Sequence, residues 1–298
     1  MDDFKRIQRS IEFIEENLQE ELHIKDITAQ ACFSAFHFQR LFQAISGFSV
    51  HEYIRKRRLS EAAEELKQTD RSVLDISIAY GYGSQEAFTR AFDGYFSITP
   101  AKYRKSESAF KRQHKINFSV YRSEDKGDLA MHKPEIKHLD SIHTVCFEYR
   151  TSLEDNRHFN EIPGFYHDFG KNGYYERIPG KTAPNMAYGI SCNFRDDGGF
   201  SFLVGEEATR SGETLEEGFI RFDIPGGTYA VFQAFGSDGL VQQTRTYIYG
   251  TWLPNSNYER REGPDFEITD VMRSSFPDFL RITVYIPVRH RSDERQRE

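Results

Sequence analysis

The chain's 298 residues exceed what one hydrophobic core usually serves, so two domains are expected. With 38% hydrophobic and 29% charged residues, and no apolar run near the ~20 residues of a membrane-spanning helix, the composition fits a soluble globular protein with no membrane partner. The net charge of −7 excludes a uniformly basic nucleic-acid binder, but residues 1–105 carry 15 basic and 16 acidic side chains against 24 and 30 in the remainder, so one basic face on the first part stays compatible with DNA.

The opening segment, MDDFKRIQRSIEFIEENLQEEL, predicts a leading helix over about 1–20, with Ile7, Ile11, Ile14 and Leu18 on one stripe. It lacks the positive start and apolar core of a secretory signal. Cys32, Cys146 and Cys192 lie far apart without a CxxC and read as small core residues in a reducing compartment, so a cytoplasmic protein is expected.

Residues 79–104 repeat residues 29–54 at a spacing of fifty. Ala29 falls on Ala79, Ser34 on Ser84, Phe38 on Phe88, Arg40 on Arg90, Phe42 on Phe92 and Tyr53 on Tyr103. The shared frame predicts a duplicated supersecondary unit. In each copy a short helix, IKDITAQA or LDISIAYG, leads to a turn at Cys32-Phe33 or Gly81-Tyr82-Gly83, and Ser34 or Ser84 then caps a second helix. The phenylalanines of that second helix, four apart, bury one face, while Arg40 and Arg90 between them point outward. This is the pattern of a helix-turn-helix, whose second helix enters the major groove, where Arg can bond guanine and Gln adenine. Between the copies, Ser49–Gln68 holds no Gly or Pro and predicts a long helix that spaces the two readers.

Residues 5–105 resemble the AraC/XylS transcription-regulator domain, on Ala79, Gly81, Ser84, Phe88, Arg90 and Phe92, then Phe96, Thr99, Pro100, Tyr103 and Arg104. By that resemblance the first recognition helix offers Ser34, Phe36, Gln39 and Arg40 to DNA and the second offers Ser84, Gln85, Glu86 and Arg90. Phe36, an aromatic on a short helix, suits a core better than a base. Val50 replaces the usual proline, Ser97 the usual glycine, and Gln43 and Asp93 stand where lysine is common. Phosphate contact therefore falls to the Arg55–Arg58 run, with Arg55 foremost, and to Lys102 and Arg104. The resemblance also implies RNA polymerase as a partner. No sustained heptad pattern points to a dimer, so a monomer on DNA is expected.

Ser106–Asp128 is polar, with charges of both signs, and reads as a connection. Beyond it aromatic and β-branched residues rise. Strands are predicted at about 134–150, 186–194 and 200–207 around a helix at about 156–172. The order repeats with strands at about 218–235, 265–272 and 279–289 around a helix at about 237–251. A twice-used β-α-β-β unit implies an α+β domain, helices on one side of an antiparallel sheet, with a groove between the halves. The expected division is 1–106 DNA-binding, 107–128 linker, 129–290 effector-binding and 291–298 polar tail.

Alternation places Phe266 and Ile268 on one face of their strand and Glu267 and Thr269 on the other. An acid among aromatics suits a cationic, aromatic ligand. This part resembles the GyrI-like effector-binding domain of Rob-like AraC regulators, on Phe232, Phe235 and Gly236, then Tyr247, Trp252, Leu253, Pro254, Ser256 and Tyr258, then Phe266-Glu267 and the run Ile282 to Val288. The resemblance implies that Glu267 sits in a pocket with Trp252 as one wall, and strand position alone adds Tyr149 and Tyr188 to the walls. Some free-standing relatives resemble hydrolases with a Trp/Glu pair, so Trp252 and Glu267 leave a hydrolase as one alternative, and a ligand-free interaction module as another. The fused DNA-binding part favours a regulator without enzyme activity. The histidines show no metal-ligand spacing, there is no P-loop, GxSxG or HExxH, and neither metal nor cofactor is expected.

Overall fold

The computed structural model describes residues 3–108, 110–118, 133–210, 214–276 and 278–292. The connecting stretch 119–128, the expected start of the second domain at 129–132 and the tail from 293 lie outside them. The chain divides into two compact units, Met1–Glu124 and Asp125–Glu298.

The apolar stripe Ile7, Ile11, Ile14 makes α1 (Asp3–Glu16) amphipathic, and all three are buried. It leads into α2 (Ile24–Ala31), α3 (Ala35–Ser46), the long α4 (Val50–Gln68), α5 (Val73–Ala79), α6 (Gln85–Phe96) and α7 (Pro100–Lys105). The fifty-residue frame is kept: α3 and α6 begin and end fifty residues apart, as do the starts of α4 and α7. Each half has its own core, and α4 serves both. Its first turns give Val50, Tyr53 and Ile54 to the α1–α3 core, and its last turns give Leu59, Ala62, Ala63 and Leu66 to the α5–α7 core.

Residues 110–118 are not a free connection. They run back along α4, where the Gln113 amide donates to Ser60 Oγ at 2.9 Å and Arg57 Nη1 donates to the Gln113 carbonyl at 2.7 Å. The Ile116 amide donates to Tyr53 Oη at 3.2 Å, and the Phe118 amide reaches Gln8 Oε1 on α1 at 2.8 Å. Ile116 and Phe118 are buried in the first core, and Phe110 packs at the edge of the second. Polar composition hid this strap because its anchors are three apolar residues spread over nine positions.

Among the described residues, the second unit is built on a nine-stranded antiparallel sheet in the order β1-β6-β9-β8-β3-β4-β2-β5, with the short β7 (Tyr258–Arg260) pairing β9 off that path. The strands are β1 (Glu135–Leu139), β2 (Ile142–Ser152), β3 (Met186–Cys192), β4 (Gly199–Glu207), β5 (Phe219–Ile224), β6 (Gly227–Gly236), β8 (Asp265–Asp270) and β9 (Leu280–His290). Two predicted long strands are each broken in two, at Asp140-Ser141 and at Pro225-Gly226, so that β1 pairs β6 while β2 pairs β5. Pro225 has no N–H for a ladder, and a Cβ on Gly226 would press the Leu139 carbonyl at 3.0 Å.

The duplicated unit is present as β2-α8-β3-β4 and β6-α9-β8-β9, with α8 (Arg157–Lys171) and α9 (Asp238–Tyr247) as its helices. The strand order makes the halves symmetric: β3 and β8, the second strand of each unit, lie side by side at the centre. After α9 a π-helical turn, Ile248–Trp252, leads into α10 (Leu253–Asn255).

Candidate functional site

Both recognition helices start on the predicted serine. The His37 amide donates to Ser34 Oγ at 3.3 Å and the Ala87 amide to Ser84 Oγ at 3.1 Å. In α6 only Phe88, Phe92 and Phe96 are buried, while Gln85, Glu86 and Arg90 are exposed. The carboxyl of Glu86 is held below its usual range by its own backbone N–H and by Ser84, with Arg90 adding to the effect, so it also serves the helix N-terminus.

The expectation of an outward Arg40 fails. Seven consecutive residues of α3, His37 to Gln43, are buried, so the helix is enclosed around its circumference. Gln39 is 3% exposed and Arg40 5%, and the Arg40 guanidinium lies 5.8 Å from the half-buried ring of Phe36 one turn earlier. An arginine four residues beyond an aromatic can lay its stem and planar head along that ring instead of extending outward.

The basic positions divide the same way. Arg55 and Lys102 are exposed. Arg104 is not available as expected: its guanidinium bonds the Leu66 carbonyl at 3.0 Å and the Arg71 carbonyl, closing the C-terminal end of α4. Arg57 is buried among Glu15, Glu61 and the Gln113 carbonyl, and Arg58 holds the Leu18 and Glu20 carbonyls at 2.8 and 2.6 Å.

In the second unit, a cavity of 480 Å³ lies over the central strands between α8 and α9. Its walls include Ile162, Leu280 and Ile282, with Phe276 exposed nearby. Glu267 is at its base and only 3% exposed. One carboxylate oxygen accepts from Tyr166 Oη at 2.8 Å and the other is paired with Arg245 of α9. Burial, and then the charge of Glu267, pushes the Tyr166 phenol far above its ordinary value, so it stays a donor. Burial works against the charge of Arg245, but Glu267, joined by Asp265 and Tyr166, more than offsets it. Gly189 makes this geometry possible, since a Cβ there would meet Tyr166 Oη at 2.1 Å and the Glu267 side chain at 3.1 Å. Thr269 also lines the cavity, and its hydroxyl is buried without a hydrogen-bond partner among the described residues.

The other expected walls are elsewhere. Trp252 packs edge-on against Phe232 at 5.1 Å and stacks over Tyr258 at 6.1 Å, outside the cavity lining. Tyr188 is on the opposite face of the sheet, as its pairing with Ile268 dictates, and donates to Glu207 at 3.0 Å. Tyr149 stacks on Phe165 of α8 at 4.5 Å rather than lining the cavity.

A family described as integron-associated effector binding protein matches residues 135–288, more than half of the chain, and a helix-turn-helix domain family matches residues 27–106. The right origin-binding protein of Escherichia coli strain K12 is 32% identical over 97% of this chain and 100% of its own length. The transcriptional regulator Rob of Salmonella typhimurium is 30% identical over the same shares. An AraC-type regulator structure from Chromobacterium violaceum has a TM-score of 0.33 at 29% identity, covering 34% of this chain and 90% of that one. The chain belongs to the Rob-like AraC family of transcription regulators. Like them it is a DNA-binding regulator, with a helix-turn-helix part followed by an effector-binding part.

What sequence reasoning missed in this Rob-like chain is the partnership of Glu267. Four residues of helix rise about 6 Å and two residues of strand about 6.8 Å. Arg245 and Tyr249, four apart, therefore match Glu267 and Asp265, two apart, and Tyr249 indeed bonds Asp265. That double spacing was the available signal. Tyr166 carried none.

Proposed function

We propose that this Rob-like regulator reads DNA first through α6, with α3 joining once His37–Gln43 are uncovered, and that the α8–α9 cavity receives the small molecule that modulates it. The observation that carries the reading is the open polar face of α6, Gln85, Glu86 and Arg90, over a fully buried face of three phenylalanines. Ser34, Ser84, Phe36, Gln39 and Arg40 complete the base-reading set, and Arg55 and Lys102 hold phosphates. The strap supports a DNA-binding module that extends through Phe118 rather than ending at 106. A monomer on one asymmetric site, in the cytoplasm and touching RNA polymerase, is the simplest working arrangement.

For the effector to act, it must bind two states of the protein with different affinity, because equal affinity shifts no equilibrium. A Trp/Glu hydrolase is disfavoured. Both oxygens of Glu267 are engaged, and Trp252 is outside the cavity, so no water-activating pair is assembled.

The test is DNA binding on a duplex selected from a randomised pool, followed by anisotropy against salt. Arg90→Ala is expected to lose roughly 1–3 kcal/mol of discrimination at particular base pairs. Lys102→Ala should weaken all sequences alike and reduce the salt slope by about one. A uniform loss from Arg90→Ala would remove its base-reading role.

A further inference from the structure

Glu267 is the one acid among the described residues lining the cavity, against two cations, Arg245 and the exposed Lys171. Its charge is already answered. Tyr166 donates to one oxygen at 2.8 Å and Arg245 pairs with the other, while the Arg245 side chain, 15% exposed, forms part of the cavity wall. A cationic ligand entering here meets a neutral pair and a positive rim. To reach the carboxylate it would have to detach a guanidinium from a buried partner and leave that guanidinium without one, which is strongly unfavourable. What the cavity still offers is uncharged: apolar walls and the Gln242 amide one turn before Arg245.

We infer that Arg245 is a specificity-determining residue: as a built-in counter-cation it fills the place of a cationic head, so the cavity prefers an uncharged, largely apolar molecule carrying a hydroxyl or carbonyl. This rests on the effector reading of the same cavity. It also replaces the cationic ligand that the sequence suggested, since an isolated acid at position 267 would have favoured one.

Three probes with one ring system separate the possibilities: 2-(1-naphthyl)ethanol, 1-naphthylmethylammonium and 1-naphthylacetate, titrated calorimetrically into the full chain near neutral pH. The wild type is expected to bind the alcohol at least about tenfold more tightly than the ammonium. Arg245→Met removes the charge at similar volume and should improve ammonium binding about tenfold or more, with the alcohol changed by less than about threefold. Glu267→Gln should act in the opposite sense and favour the acetate by about tenfold, because Arg245 is then the unanswered charge. In the Arg245→Met/Glu267→Gln double variant both gains should vanish.

An ammonium-to-alcohol ratio in Arg245→Met within about threefold of wild type overturns the assignment. Should Arg245→Met fail to fold, the Glu267→Gln variant decides, and no gain for the acetate overturns it equally. If no probe binds the wild type or either variant, the effector reading of the cavity falls and the inference with it. Binding with unchanged ranking removes the charge selectivity alone.

Discussion

The two helix-turn-helix copies share almost everything that a sequence frame can impose. Both second helices span twelve residues, start on a serine cap and end on a left-handed residue, Gly47 at φ 77° and Ser97 at φ 56°. Phe38 meets Phe42 at 5.9 Å and Phe88 meets Phe92 at 5.4 Å; Tyr53 closes on the first pair at 5.6 Å and Tyr103 on the second at 5.2 Å. Yet α6 buries three residues, and α3 buries seven in a row. The difference teaches that repeated spacing determines which side chains meet inside a motif. Whether the outer face is open is a separate matter, to which the spacing is blind. It also separates the two arginines by exposure: Arg90 is open to solvent, and Arg40 is 5% exposed.

The largest expected effect comes from the strap, which completes the two cores unequally. Phe118 is fully buried and lies 5.6 Å from Phe42, whereas Phe110 is half-buried, 4.8 Å from Tyr103. Phe118→Ala should destabilise the first copy by about 3–5 kcal/mol, the range for deleting a buried phenylalanine. Phe110→Ala should cost the second copy about 1 kcal/mol. Amide hydrogen exchange read peptide by peptide distinguishes them, with faster exchange in α3 for the first variant and a small change in α6 for the second. Equal acceleration of both helices by Phe118→Ala would show that the copies share one cooperative core through α4.

That the strap was read as a linker marks how far the sequence was legible. The tandem motif could be read because its signals are local: serine caps, phenylalanines four apart, and a frame repeated at fifty residues. The β-α-β-β duplication was legible from alternation and order, and Glu267 was put on the same strand face as Thr269, which is where both lie. The failures concern contacts between distant segments. Tyr188 was placed by strand position alone, but a strand has two faces, and its neighbour Gly189, not Tyr188, is opposite Glu267. Arg245 lies 22 residues from its partner, and the spacing that links them, Arg245 to Tyr249 against Glu267 to Asp265, gains meaning only once the helix is packed on the strand.

Next in size is the exchange of roles between the arginines. Arg90 is exposed, so Arg90→Ala should leave stability within about 0.5 kcal/mol while weakening the selected DNA site by roughly 1–3 kcal/mol. Arg40 is 5% exposed, so Arg40→Ala should first appear as lost stability in the DNA-free protein, about 1–3 kcal/mol, through the vacated packing around its stem. Exchange rates in α3 and α6 and binding to the selected duplex, measured on the same samples, give both quantities. The opposite pattern, with Arg40→Ala silent in exchange and Arg90→Ala unfolding α6, would mean that the enclosed and open faces are assigned to the wrong copies.

The smallest effect tests a position where the copies share a left-handed backbone but differ in residue. Both α3 and α6 end in a left-handed residue whose amide donates to a carbonyl four positions back, Gln43 or Asp93. Glycine adopts that conformation freely, but serine brings its Cβ close to the following carbonyl oxygen, at about 1–2 kcal/mol. Against this, glycine gives the unfolded chain more freedom, worth about 0.4–1 kcal/mol. Ser97→Gly should therefore stabilise the second copy by a net ~0.5–1 kcal/mol, read as slower exchange in α6 with α3 unchanged. Gly47→Ser should move the first copy by a like amount in the other direction, since nothing lies within 4 Å of a Cβ added at Gly47 and backbone conformation alone is at issue. If Ser97→Gly destabilises, the serine side chain must be contributing a contact that its backbone strain does not outweigh, and the fifty-residue frame would then conceal a second functional difference at its C-terminal turn.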